Sequence, residues 1–392
     1  MSLSWRTWLG VVTLSAAVSA ADEPWKWIGP AGQDLVSLII IGDVQVHSRR
    51  TDPTTAFVHM RETLKQADLV YANLEGMLVR SSGPDGDIPD KRGWTHPGPD
   101  GVIALASSNI AVVGVANNVA YGRQNILETL EVLDRHRIAH VGAGRNLDEA
   151  HRPAIVERKG VKFGFLQYTA RWYREHEQLA TPAAAGVARI TSRDGVAIDP
   201  DDLERMRQDV RRLRPLADVV VVSHHNRDGA TPVQFGPPAG PRARRDATRA
   251  EAYQKQLARA ALDAGADLVF GHGTHTVQGV EVYKGKPILY AIGHSAFDQP
   301  GYETSKDGIV IRAAIKEKQI VRVSFVPVTR DADNNVMMID PSAGEGARLL
   351  EIIRGAHRRC RSESRGMKSC WWIARGRRRS RRDASGTAST PT

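Results

Sequence analysis

Residues 266–279 read ADLVFGHGTHTVQG. An apolar run ends abruptly in Gly271, His272, Gly273, Thr274 and His275. An unbroken apolar run followed by small residues reads as a strand buried on both faces. A core has no need of two imidazoles at such an end. Gly271 and Gly273 allow the backbone to turn tightly where larger side chains would crowd the histidines.

The same break recurs along the chain. Ala266-Asp267 opens this strand, and Ala67-Asp68 and Ala217-Asp218 open two others. The run from Asp68 ends in Asn73 and Glu75, and the run from Asp218 ends in His224 and His225. LVSLIIIGD ends in Asp43, and IAVVGVANN ends in Asn117 and Asn118. Between these runs lie helical spacings. DPTTAFVHMRETLKQ repeats Phe57, Met60 and Leu64, and GRQNILETLEVLDRHR sets Ile126, Leu130 and Leu133 on one face. GVIALASSN is also helical. DDLERMRQDVRRLRPL carries acids in its first turn, as the helix dipole favours. AEAYQKQLARAALDAG closes on Gly265. ARITSRDGV reads as a weak strand. Strands alternating with helices of this length imply an α/β protein with a largely parallel inner sheet. Two hairpins follow, turning at Lys284-Gly285 and near Lys316 to Gln319, and add a second or mixed sheet. Residues 176–200 and 229–248 are rich in Ala, Pro, Gly and Arg and read as loops.

In open α/β sheets, ligands bind outside the carboxyl ends of the strands. Five such ends deliver carboxylate, amide and imidazole groups to one edge. The expected metal ligands are Asp43, Glu75, Asn118, His225, His272 and His275. Mixed nitrogen and oxygen donors suit a divalent Mn, Fe or Zn. An open position on such a metal polarises an ester or amide and lowers the pKa of a bound water. Each residue alone has a plainer reading. Gly-Asp is a common turn, Asn117-Asn118 suit caps or turns, and one of His224 and His225 reads as a satisfied core histidine. Convergence carries the site.

The 392 residues are enough for one large domain or two ordinary ones. Hydrophobic residues at 41% and charged residues at 25% give an ordinary globular balance. The first 20 residues pair Arg6 with an apolar run from Trp8 to Ala17 and small residues at 18 and 20. That order fits a signal peptide cut after Ala20 and an extracytoplasmic protein. The apolar run is short for a spanning anchor. The expected main domain is 35–330. The net charge of +10 sits elsewhere. From Arg354 to the end, twelve Lys or Arg face only Glu363 and Asp383, so the body is close to neutral. Residues 354–392 read as a basic disordered tail. Confinement of charge to the tail argues against nucleic acid. Cys360 and Cys370 lie in that tail and form no metal pattern.

These blocks, in this order, resemble the bacterial capsule-synthesis CapA family (PGA_cap), linked to poly-gamma-glutamate. The resemblance covers roughly residues 37–300 and runs through IGDVQV, ADLVYANLEG, ANNVAYG, HVGAGRNLDEAHRP, VVVSHHNRDG and the long block from Gln256 to Asp298. It implies a calcineurin-like metallophosphoesterase fold, a layered α/β/β/α sandwich with its metal site at the C-terminal ends of the strands. It implies an envelope hydrolase of polymer or phosphoester, with His225 as both ligand and catalytic group. Asn73, Asn117 and Arg227 are the expected substrate contacts. A capsule-synthesis membrane complex is the expected partner. Three departures matter. Val119 stands where the family's block has a histidine, thought to protonate the leaving group or steady the transition state. Loss of such an acid lowers rates roughly 10²- to 10⁴-fold. His294 replaces an asparagine, and His294 or His47 is the expected substitute acid. Gln45 stands where the related Asp-x-His pattern needs histidine, so one metal is expected rather than two. The competing reading is a non-catalytic factor that binds or exports an anionic polymer.

Overall fold

In a strand buried on both faces, successive side chains alternate between two cores. Ile39 and Ile41 enter one apolar cluster, while Leu38 and Ile40 enter another. Val219 and Val221 share the second cluster, and Val220 and Val222 enter a third. Three cores therefore separate four layers. The computed structural model describes residues 34–46, 52–79, 96–170, 172, 177–191, 197–226, 252–298, 306–355 and 371–373.

The chain runs β1 (Val36–Gln45), α1 (Arg61–Lys65), β2 (Leu69–Leu74), α2 (Val102–Ala106), β3 (Ile110–Gly114), α3 (Arg123–Arg135) and β4 (Ala139–Val141). Next come β5 (Ala143–Gly144), α4 (Leu147–Ala150), β6 (Ala154–Arg158), β7 (Val161–Thr169), β8 (Gly186–Val187), α5 (Pro200–Leu213) and β9 (Val219–His225). The rest is α6 (Ala252–Ala264), β10 (Leu268–His272), β11 (Val280–Tyr283), β12 (Lys286–Leu289), β13 (His294–Phe297), β14 (Gly308–Lys316), β15 (Gln319–Arg330), β16 (Val336–Met338), α7 (Gly344–Gly355) and β17 (Trp371–Ile373).

The parallel strands divide between two sheets. In the nine-stranded sheet, β1, β2, β3 and β4 run parallel, and β14 to β16 continue it antiparallel beyond β1. In the six-stranded sheet, β7, β9, β10 and β12 run parallel, with β6 and β11 antiparallel at the edges. The second core fills the space between the sheets. The first lies under α1, α2 and α3, with Leu64, Leu105, Ile126 and Leu133. The third lies under α5 and α6, with Met206, Val210 and Leu257. A continuous apolar strand has the same pattern in either sheet, so the strand pattern alone does not assign each strand to its sheet.

The repeated Ala-Asp pairs have a structural role. Asp68 Oδ2 accepts from the Ser37 amide at 2.8 Å, Asp218 Oδ2 from Lys162 at 2.9 Å, and Asp267 Oδ2 from Val220 at 2.9 Å. Each aspartate begins its strand by capping an amide of the parallel neighbour. The pairs mark the edge opposite to the histidines.

Both expected hairpins form, β11–β12 and β14–β15, one in each sheet. Two segments depart from expectation. The helical stretch from Asp52 splits into a 3-10 turn at Pro53–Phe57 and the short α1. ARITSRDGV forms no strand over its described residues, only an isolated bridge from Arg189 to Thr169, and residues 192–196 lie outside the described ones. The packed body passes residue 330. Val336 and Met338 join the first core, and Leu349, Leu350 and Ile353 of α7 join the second. Within the expected tail, β17 pairs antiparallel with β15. The expected signal peptide, His47 and Arg227 lie outside the described residues. No helix among the described residues is long and apolar enough to cross a membrane.

Candidate metal centre

Asp43 reaches the space between the sheets because β1 is irregular. A flat strand would place it with Ile39 and Ile41, facing the helices. The register against β2 shifts between Ile41 and Asp43. This bulge reverses the alternation. Beyond it, Val44 and Val46 take the helix side, leaving Asp43 and Gln45 on the inner side. The Asp43 amide donates to Gly293 O at 3.2 Å, and the Cα of Asp43 lies opposite His294 of β13.

The histidines come from the other sheet. β9 and β10 pair with Gly271 opposite His224 and His272 opposite His225. His224 Nδ1 donates to Phe270 O at 2.9 Å, and burial pushes its pKa down to about 3. It is a neutral histidine fixed by backbone, while its neighbour His225 faces the site. The two glycines of the opening stretch make room for this pair. A Cβ on Gly271 would lie 2.6 Å from His224 Cε1, and one on Gly273 would lie 2.5 Å from His225 Cε1. Gly271 stays within β10, so space alone requires glycine there. Gly273 also has a φ of +86°, where the chain turns. His275 follows at φ +60°, a left-handed conformation that histidine adopts more readily than most residues.

A chain of oriented amides holds the first ligands. Gln167 of β7, absent from the sequence-based set, is buried between the sheets. Its Oε1 accepts from the Ala116 amide at 2.7 Å, so its Nε2 is the donor. That Nε2 donates to Asn73 Oδ1 at 3.0 Å and meets His272 Nε2 at 2.8 Å. Asn73 Nδ2 then donates to Asp43 Oδ1 at 2.8 Å. On the far side, His225 Nε2 meets Asn118 Oδ1 at 2.5 Å. A proton on His225 Nε2 leaves its Nδ1 lone pair facing His272 Nδ1, 3.0 Å away. In this tautomer pattern His272 Nε2 accepts from Gln167 and its Nδ1 donates to His225 Nδ1.

Asp43 is the hub. His272 Nδ1 approaches its Oδ1 at 3.7 Å, while His275 Nδ1 approaches Oδ2 at 3.5 Å and His294 Nδ1 approaches Oδ2 at 4.0 Å. The Gly273 amide donates to Oδ2 at 3.3 Å. Glu75 Oε1 lies 4.0 Å from His225 Nε2 and 3.8 Å from His275 Nε2. Asp43, His225 and His272 form one group of buried donors within 4.8 Å of one another, and Asp43, His275 and His294 form another. Burial pushes the Asp43 carboxyl up to about 6, against hydrogen bonds with Glu75, Asn73 and Gly273 that favour its charge. Burial, with His225 and His224 nearby, holds His272 well below the ordinary histidine range.

This donor set fits a divalent cation. Two buried carboxylates, Asp43 and Glu75, lie among buried imidazoles, of which His272 is held neutral by burial. The 3.0 Å between His225 Nδ1 and His272 Nδ1 suits adjacent ligands with metal–nitrogen bonds of roughly 2.0–2.1 Å. The absence of cysteine points away from a structural zinc site.

Other expected residues lie in supporting positions. Asn117, an expected substrate contact, donates from Nδ2 to Leu74 O at 2.7 Å and accepts at Oδ1 from the Val119 and Ala120 amides. It ties the end of β2 to the loop after β3. Asn73, expected in the same role, orients Asp43. Val119 is fully buried. Glu281 accepts from Arg259 and Tyr290, joining α6 to β11.

Three relatives show the same range of similarity. The chain is 24% identical over 331 residues to the capsule biosynthesis protein CapA of Bacillus anthracis, covering 82% of this chain and 74% of that one. It is 26% identical over 321 residues to the PGA biosynthesis protein CapA of Bacillus subtilis (strain 168), covering 78% and 76%. It is 28% identical over 283 residues to a probable polyglutamine synthesis accessory protein of Mycobacterium tuberculosis (strain CDC 1551 / Oshkosh), covering 69% and 64%. The family model of the bacterial capsule synthesis protein PGA_cap matches residues 37–299, which include every residue of the Asp43 centre, and the chain belongs to that family.

Proposed function

We propose that this chain is a metal-dependent hydrolase of capsule or poly-gamma-glutamate synthesis, acting outside the cytoplasm on an anionic envelope polymer or a phosphoester. The observation that carries this reading is Asp43, a buried carboxylate met by imidazoles where two sheets join. The names of the relatives supply the capsule and polyglutamate context. The four layers and the position of the centre support a metallophosphoesterase-like fold. The order of charge, apolar run and small residues at the N-terminus supports export.

Asp43, His225 and His272 are the proposed first ligands, with Glu75 beside them. A divalent cation there supplies Lewis-acid polarisation of a carbonyl or phosphoryl oxygen. Asn73 keeps Asp43 turned to the centre, and Asn118 keeps His225 Nδ1 inward. The burial of these groups keeps bulk water from competing for them.

Metal content and hydrolysis test the reading together. Full-length protein purified without chelator is expected to carry a stoichiometric transition metal and to cleave poly-gamma-glutamate or a phosphodiester. His225→Ala is expected to lose both. Metal-free protein whose hydrolysis survives His225→Ala would defeat the proposal. Export predicts a mature N-terminus at Ala21, read by terminal sequencing.

Val119 favours a second reading, a non-catalytic factor that binds an anionic polymer. It predicts stoichiometric metal without turnover. Removing residues 374–392 would test the part of the tail in that binding. Unchanged polyglutamate affinity would remove the tail from this reading.

A further inference from the structure

A neutral imidazole carries its proton on one of its two nitrogens. Which nitrogen binds a metal is set by the hydrogen bond the other makes. Ligating histidines almost always donate that other N–H to a carboxylate, a carbonyl or a water. The Asp43 centre meets this rule at one histidine and reverses it at the next. His225 Nε2 meets an acceptor, Asn118 Oδ1, at 2.5 Å, which leaves Nδ1 for the ion. His272 Nε2 meets a donor, Gln167 Nε2, at 2.8 Å.

The direction of the Gln167 amide is fixed from both ends. The Ala116 N–H can only donate, and it holds Gln167 Oε1 at 2.7 Å. Asp43 Oδ1 accepts from Asn73 Nδ2 at 2.8 Å, which turns Asn73 Oδ1 towards Gln167 Nε2 at 3.0 Å. One amide proton of Gln167 thus goes to Asn73 and the other to His272. The side chain is 1% exposed and closely packed, since a Cβ on Gly114 would overlap its amide. With Nε2 accepting, the His272 proton sits on Nδ1, which faces His225 Nδ1 at 3.0 Å and Asp43 Oδ1 at 3.7 Å. That proton stands where an ion needs a lone pair.

We propose that Gln167 is a positioning residue that opposes loading, by keeping His272 in the tautomer that cannot ligate. The inference rests on the metal reading above. To ligate, His272 still carries a single proton but holds it on Nε2, and the Gln167 amide turns over to accept it. The turn gives up the bonds to Ala116 and Asn73. Gln167 therefore weakens binding, the opposite of what a residue supporting a ligand does.

The test uses the chelator-stripped full chain, with histidine labelled at its ring nitrogens, and Zn²⁺. Nitrogen shifts are expected to place the His272 proton on Nδ1 in stripped wild type and on Nε2 in the loaded protein. Loss of the signals in His272→Gln identifies them. Gln167→Ala makes room for a water, which can accept from His272 and donate to Asn73. This variant is expected to bind Zn²⁺ about 10-fold more tightly than wild type, the lower end of outer-shell effects. Competition with a chromophoric chelator measures the affinity. Circular dichroism checks the fold. Gln167→Glu, which keeps the size and offers only acceptors, replaces Gln167→Ala if the latter unfolds. A His272 proton on Nε2 in stripped wild type overturns the inference and leaves the proposed function standing. So does a variant that binds Zn²⁺ no more tightly than wild type. Zn²⁺ held by neither protein defeats both.

Discussion

The two ends of the same parallel strands use aspartate in opposite ways. At the starting edge, Asp68 meets Lys159 at 2.8 Å, Asp218 meets Lys318 at 3.2 Å, and Asp267 meets Arg214 at 2.6 Å and Lys286 at 3.0 Å. Each also caps a neighbouring strand. At Asp68 burial raises the carboxyl, but the Lys159 and Ser37 bonds outweigh it and leave it below its usual range. Asp218 is lowered in the same way, with Lys162 and Lys318 outweighing burial. At the finishing edge Asp43 meets imidazoles instead, and burial carries it up to about 6. A carboxylate that serves the fold is given its cation by the chain. Asp43 is given imidazoles instead of a Lys or Arg partner.

The largest expected effect is at Asp43. Asp43→Asn should weaken cation binding more than about 100-fold, beyond the usual loss for an outer-shell residue. The same change should stabilise the chelated protein by about 1–3 kcal/mol, since it removes a desolvated carboxylate raised by roughly two pH units. Calorimetry with and without chelator checks both signs. A destabilised metal-free variant would break the contrast between the two edges.

Asn118→Leu removes the acceptor that orients His225. It should lower cation affinity about 10- to 100-fold, and isothermal titration measures this. Affinity equal to wild type would show that His225 needs no support.

The pH dependence sharpens the contrast in the chelated protein. Unfolded His224 takes a proton near 6.5, but the folded form resists until about 3. His272 is lowered as well. Their contributions are present above 6.5 and are lost as pH falls below it. Asp43 acts in the opposite sense between about 6 and 3.8, since the folded carboxyl takes its proton first. Two losses against one gain leave a net fall in stability as the pH drops. Thermal melts from pH 6.5 to 4.5 should show this, and Asp43→Asn should steepen it.

The smallest effect belongs to the starting edge. Asp267→Asn should cost about 1–3 kcal/mol in urea unfolding, because it weakens a strand cap and two partly exposed ion pairs. Cation affinity should not change.

Much of the centre was legible in the sequence, because chemistry broke the apolar runs. Asp43, Glu75, His225, His272 and His275 all interrupt strands or their ends, and the structure gathers them. His294 stood out in the sequence as a candidate acid with no place, and the structure sets its Nδ1 4.0 Å from Asp43 Oδ2. Four features were not found. Gln167 is a single amide in an apolar strand, and nothing nearby marks it. The β6–β7 hairpin turns at Lys159-Gly160, the same dipeptide read correctly at Lys284-Gly285. That signal was available. The bulge in β1 was also visible in retrospect, since the buried aliphatics change parity from 39 and 41 to 44 and 46. Which strand belongs to which sheet left no trace, because strands covered on both sides look alike in either one.

Asp43 and Glu75 come from the nine-stranded sheet, while His225, His272 and His275 come from the six-stranded sheet and the turn that follows it. An ion held by both groups is a clasp between halves that fold from different stretches of chain. Its binding free energy, growing as RT ln(1 + [L]/Kd), would fall on the docking of one sheet against the other. The apolar layer between them would then open more rarely in loaded than in stripped protein. Hydrogen exchange should show that protection on facing strands far from the ion, even where no side chain touches it.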